Sequence, residues 1–94
     1  MTHIHVLHIL NKAPSHPRSV ECLSALMPGD TLLLIENAVL AVASLNEYRA
    51  GIPVFALAPD VIARGLGECS ENTTLVDFAA MVDLTAQAQQ IISW

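Results

Sequence analysis

Ala56-Leu57-Ala58-Pro59-Asp60-Val61-Ile62-Ala63-Arg64-Gly65-Leu66 is the stretch that decides the fold. The short apolar run Pro53-Val54-Phe55-Ala56-Leu57 leads into it and meets Pro59, which cannot continue a ladder but fits the first position of a helix. Asp60 favours the positive end of that helix, and Gly65 ends it by accepting a left-handed conformation. The order is strand, tight turn, short helix, stop. It recurs along the chain, so the local unit belongs to an α/β fold.

Working outward, the first strand spans Ile4 to Leu10, with apolar weight from Val6, Leu7, Ile9 and Leu10. Asn11 to Pro17 is a loop. A helix follows to about Met27, its face set by Val20, Leu23, Leu26 and Met27. Pro28-Gly29-Asp30 turns the chain. Thr31-Leu32-Leu33-Leu34-Ile35 is continuously apolar, as in a strand covered on both faces. The next segment, about Asn37 to Arg49, predicts a helix whose first half has no polar side: Ala38, Val39, Leu40, Ala41, Val42, Ala43 and Leu45. Such a helix is buried all round, so one side is expected on the sheet and the other on another chain. Gly65 to Asn72 is a loop and Thr73 to Val76 the expected last strand. Asp77 then caps a final helix with a face of Phe78, Met81, Val82, Thr85, Ala88 and Ile92. Helices joining successive strands imply one α/β domain over 1–94, with a mostly parallel sheet flanked by helices.

Composition points to a partner. The 94 residues are 53% hydrophobic and 14% charged, with a mean hydropathy of +0.51. That exceeds what a small monomer needs, and extended apolar surface marks an interface. No run approaches the ~20 apolar residues of a membrane span. Met1-Thr2-His3-Ile4-His5 lacks the basic start of a signal peptide. A cytoplasmic protein with Cys22 and Cys69 as reduced thiols is therefore expected. Four basic residues, Lys12, Arg18, Arg49 and Arg64, stand against nine acidic ones for a formal charge of −5. Nucleic-acid binding needs clustered Lys and Arg, so direct contact with nucleic acid is not expected.

Cys22 is the candidate catalytic residue. It lies near a helix start, one turn after Arg18, and both features favour the thiolate that attacks sulfur, while Glu21 opposes it. The alternative is a small packing residue. Cys69 lies between Glu68 and Glu71, whose carboxylates raise a thiol pKa. His3 and His5 share a strand face while His8 points the other way, leaving two ligands where zinc needs three or four; no metal or cofactor site is expected. Asp60 and Arg64 are four apart and can pair along their helix, or Arg64 can meet a partner or a sulfur species. Gly65 and Gly67 follow a helix rather than preceding one, which excludes a phosphate loop.

Several segments together resemble the TusB/DsrH family, the smallest of three related subunits in bacterial sulfur-relay complexes. Pro59-Asp60 with Ala63-Arg64-Gly65 is similar to its P-D-x-x-A-R-G block. Leu7-His8-Ile9-Leu10-Asn11-Lys12-Ala13-Pro14 resembles its L-H-x-x-N-K-S-P opening, and Gly29-Asp30-Thr31-Leu32-Leu33-Leu34-Ile35-Glu36-Asn37 its G-D-x-x-L-L-x-E-D block. Val76-Asp77-Phe78, Val82-Asp83-Leu84-Thr85 and Trp94 look like its last strand, last helix and tail. Asn37 replaces an acidic residue and Ala38 a glycine. The resemblance implies a DsrEFH-like fold and a place in a heterohexamer with TusC/DsrF-like and TusD/DsrE-like subunits. Those complexes take persulfide sulfur from carrier proteins towards 2-thiolation of the tRNA wobble uridine, or serve sulfur oxidation. The family's acceptor cysteine lies on the TusD/DsrE-type subunit, so the role implied here is mainly architectural, with the 37–49 helix and Trp94 holding the complex. Cys22 matches a cysteine of DsrH-type members that some TusB-type members lack. The rival expectation is a stand-alone thiol sulfurtransferase using Cys22.

Overall fold

A computed structural model describes residues 4–47, 51–66 and 73–94. The elements are β1 (Ile4–Leu10), α1 (Pro17–Ala25), β2 (Thr31–Leu34), a 3-10 helix (Glu36–Glu47), β3 (Val54–Leu57), α2 (Ala58–Ala63), β4 (Thr73–Val76), α3 (Phe78–Gln87) and β5 (Ala88–Ser93). The strands form one sheet in the order β4-β3-β2-β1-β5, every neighbouring pair parallel. All four residues of β2 are buried, which is why its run is apolar without alternation.

The chain steps one way across the sheet from β1 to β4, and α3 then carries it back past β1 to β5. Right-handed crossovers put α1, the 3-10 helix and α2 on one face and α3 on the other. Two cores follow. One gathers Leu10, Cys22, Leu26, Leu34, Val39 and Val61; the other Ile4, Leu7, Leu33, Val76 and Leu84.

The deciding stretch folds as expected. Gly65 takes φ 66°; its N–H donates to the Ile62 carbonyl at 3.0 Å and the Leu66 N–H to that of Val61 at 3.2 Å, a Schellman stop. A Cβ on Gly65 would meet nothing within 4 Å, so Gly65→Ala carries a conformational cost only. We expect a loss of about 1–2 kcal/mol in urea unfolding, from the left-handed backbone alone.

Two expectations change. The apolar segment is a 3-10 helix rather than an α-helix, and its buried side chains pack into this chain's own core. With three residues per turn, side chains three apart eclipse into ridges. Ala38 and Ala41 form one buried ridge and Val39 and Val42 another, while Asn37 and Leu40 turn outward, Leu40 43% exposed. Its expected end at Arg49 lies outside the described residues, as do the side chains of Ala43 and Leu45. The second change is at the tail. Thr73–Val76 is an edge strand rather than the last one, and the final helix stops at Gln87, so Ala88 and Ile92 sit on β5. Spacings of three and four residues ran on through Ala88 and Ile92, but the open edge of β1 offers a ladder from Ile4↔Ala88 to Ile9↔Ser93. β-Branched Ile91 and Ile92 suit that ladder.

Candidate functional site

The sheet order reverses at β1 and β5, and in open α/β sheets crevices at such a switch point, outside the strands' carboxyl ends, are where ligands bind. Here the loop after β1 and the residue after β5 meet. The Trp94 N–H donates to the Ile9 carbonyl at 2.8 Å, extending the ladder by one residue. Lys12 Nζ donates to the Trp94 main-chain oxygen at 3.1 Å and to Asn11 Oδ1 at 2.6 Å. The Arg18 guanidinium lies over the Trp94 ring, 5.2 Å from its centroid, within cation–π range.

Beneath Trp94 is a buried polar chain. The indole Nε1–H donates to His8 Nδ1 at 3.1 Å, and His8 Nε2 lies 2.9 Å from Asp30 Oδ2. An indole nitrogen only donates, so His8 Nδ1 is the acceptor and Nε2 carries the proton that bonds Asp30. His8 and Asp30 are each 2% exposed. Asp30 Oδ2 also accepts from the Met27 N–H at 3.0 Å, while Oδ1 has no partner. Both nitrogens of His8 are therefore engaged inside the fold.

This cluster was not singled out from the sequence, although its members lie in the quoted segments. A usable signal was there. His8 stands inside an apolar run that must be covered, and Gly29-Asp30 opens a second fully buried strand. Buried polar groups require partners, and two on adjacent strands supply each other. His5, by contrast, is exposed and bonds Gln89 at 3.2 Å. His3 and Cys69 lie outside the described residues.

Cys22 sits in the middle of α1, fully buried in the core. Burial pushes its thiol from 9.0 up to about 12. The expected activating contacts act elsewhere: Arg18 pairs with Glu21 at 3.3 Å and covers Trp94. The start of α1 is capped by His16, whose Nδ1 accepts the Arg18 N–H at 3.0 Å. Desolvation sets the acidity of this thiol.

Arg64 is taken up within its own corner. It donates to the Asp60 carbonyl at 3.2 Å and to Asn37 Oδ1 at 3.0 Å, with the Asp60 carboxylate 4.0 Å away. Asp60 Oδ2 accepts the Glu36 N–H at 2.7 Å, at a residue held at φ 51°. The neutral amide of Asn37 thus serves the guanidinium directly. Asp77 caps α3 as expected, accepting the Ala80 N–H at 2.8 Å.

Exposed large apolar side chains lie on both sides of the sheet: Val20 on α1, Leu40 on the 3-10 helix and Ile62 on α2 on one, and a group on the α3 side, where a single helix covers the strands. Five strands at ~4.8 Å spacing make a sheet face of about 20 Å, and one helix covers only ~10 Å of it. Among the described residues, Phe78, Val82 and Ile91 are 58%, 59% and 45% exposed there. Ile9, Ile35, Phe55 and Met81 lie partly buried beside them. Trp94 is half-buried and makes the contacts described above within its own chain.

An all-parallel five-stranded sheet, three helical segments on one face and one on the other, defines a small α/β protein of the DsrEFH-like class. Solved structures share that fold. The ychN protein of E. coli superposes with a TM-score of 0.74 over 97% of this chain and 99% of that one, at 17% identity. Protein Tm0979 of Thermotoga maritima gives 0.64 over 86% and 91%, at 24% identity. The family model "DsrH like protein" matches residues 12–91. Protein TusB of Escherichia coli K12 is 36% identical over 95 residues, covering 95% of this chain and all of the relative. Protein TusB of Pectobacterium carotovorum is 32% identical over the same span. The chain belongs to the DsrH/TusB family.

Proposed function

We propose that this chain is a structural subunit of a TusBCD-type sulfur-relay complex. The complex passes persulfide sulfur from carrier proteins towards 2-thiolation of the tRNA wobble uridine. Its partners are TusC/DsrF-like and TusD/DsrE-like subunits in a heterohexamer. The observation that carries the reading is 36% identity along the whole length of a TusB protein. The half-covered α3 face gives the assembly a surface. A DsrH-type role in sulfur oxidation is the second reading, favoured by Cys22, which matches a cysteine of DsrH-type members. Co-expression with TusC- and TusD-like subunits tests the first: a single stoichiometric complex on size exclusion is expected. A chain that stays apart from them overturns it.

The chemistry of Cys22 supports an architectural role. A thiol pushed to about 12 holds about a thousandfold less thiolate at pH 8 than one near 9, and thiolate is the attacking form. In the folded chain, alkylation of the Cys22 peptide at pH 8 is expected to be slower by at least that factor than in urea. Incubation with a persulfide donor is expected to leave the Cys22 peptide mass unchanged. A stoichiometric, transferable gain of one sulfur there establishes the stand-alone sulfurtransferase instead.

A further inference from the structure

His8 lies between a group that only donates and a group that only accepts, and that pairing tolerates one protonation state. We propose that His8 is a proton-operated latch on Trp94: neutral imidazole holds the indole down, and imidazolium releases it. In the closed state the lone pair of Nδ1 takes the indole N–H while Nε2–H is given to Asp30. A proton from solvent can add only to that Nδ1 lone pair. Two N–H groups then face each other and the Trp94 bond is lost. The Nε2–H bond to Asp30 Oδ2 is kept in both states, and the second oxygen, Oδ1, has no partner beside it.

The surroundings decide how far Trp94 moves. Its main chain stays tied to Ile9 and Lys12, so the indole swings while the tail remains on the sheet edge. Arg18, paired with Glu21, lies over the ring and adds positive charge near the imidazolium. Among the described residues, the other titratable groups near Trp94 and β1 include Lys12 on the Trp94 main-chain oxygen, the neutral thiol of Cys22 on α1, His16 at the start of α1 and exposed His5 on β1. Trp94 packs against the core beside Leu10 and Cys22. Release therefore uncovers apolar surface at the switch point and frees Arg18 from its ring.

Trp94 is the only tryptophan of the chain, so its emission reads the latch directly. The full chain is titrated from about pH 8 to about pH 5, the interval in which histidine side chains exchange protons. Emission is expected to shift to longer wavelength in one single-proton step. Nitrogen NMR of the same sample is expected to show the Nε2–H tautomer of His8 at pH 8. Faster exchange of the Trp94 indole proton should appear in the same step. His8→Gln removes the step, and His16→Asn, which keeps a capping residue, leaves it in place. Should His8→Gln fail to fold, nitrogen NMR of the unaltered chain decides, with protonation of His8 Nδ1 and loss of indole N–H protection expected in one step. The latch is overturned by a flat emission profile, by a step that survives in His8→Gln or vanishes in His16→Asn, or by an indole N–H that stays protected while His8 titrates.

Discussion

Val42→Asp leaves the chain without a cooperative folded state. Val42 is 2% exposed and lies on a buried ridge of the 3-10 helix, within the same core as Leu34 and Val61. A carboxylate there has no cation to pair with among the described core residues. Removing one side of a buried pair already costs about 3–5 kcal/mol, and an isolated charge in an apolar site costs at least as much. A small domain has only about 5–15 kcal/mol in total. Circular dichroism with urea titration is expected to show no sharp transition. Leu40→Asp, on the ridge that turns outward, is expected to stay within about 0.5 kcal/mol of the parent. Sensitivity at Leu40 with tolerance at Val42 would reverse the ridges.

The contrast between those neighbours explains where sequence reading stopped. The Pro59 helix, its Gly65 stop, the Asp77 cap and the parallel framework were all legible, because each rests on local chemistry within a few residues. The 3-10 segment was not. Ala38 through Val42 is apolar in every direction, so no polar residue marks which period the backbone adopts, and the sequence alone predicts the commoner α-helix. β5 was hidden for a related reason: residues after Gln87 satisfy helical spacing, and only the open edge of β1, a tertiary fact, draws them into a strand.

The site was partly legible. Cys22 was read from helix position and a nearby guanidinium, both local terms, whereas burial by distant strands decides its acidity. Asp30, His8 and Trp94 are 22 and 86 residues apart along the chain in their two contacts. No spacing rule joins them. Each alone reads as a turn residue, a strand histidine and a tail. What joins them is the return of β5 to the edge of β1, the element that the sequence concealed.

Phe78→Asp is expected to leave the isolated chain folded and to separate it from its partners. Phe78 is 58% exposed in the first turn of α3, where a negative charge favours the helix dipole by about 0.3–1 kcal/mol. Monomer stability should therefore hold or rise slightly. In an assembly seated on the α3 face, the same change removes a buried aromatic and places an unpaired charge in a desolvated contact. Aromatic anchors of that kind are worth about 2–4 kcal/mol, so affinity for the TusC- and TusD-like subunits should fall at least about thirtyfold. Val20→Asp supplies the opposite control, since Val20 is 61% exposed on α1 across the sheet; the complex should survive it. Size exclusion of each co-expressed variant, with urea unfolding of each chain alone, separates lost assembly from lost folding. If Val20→Asp dissolves the complex and Phe78→Asp does not, the partners sit on the three-helix face. The half-covered sheet would then need another explanation.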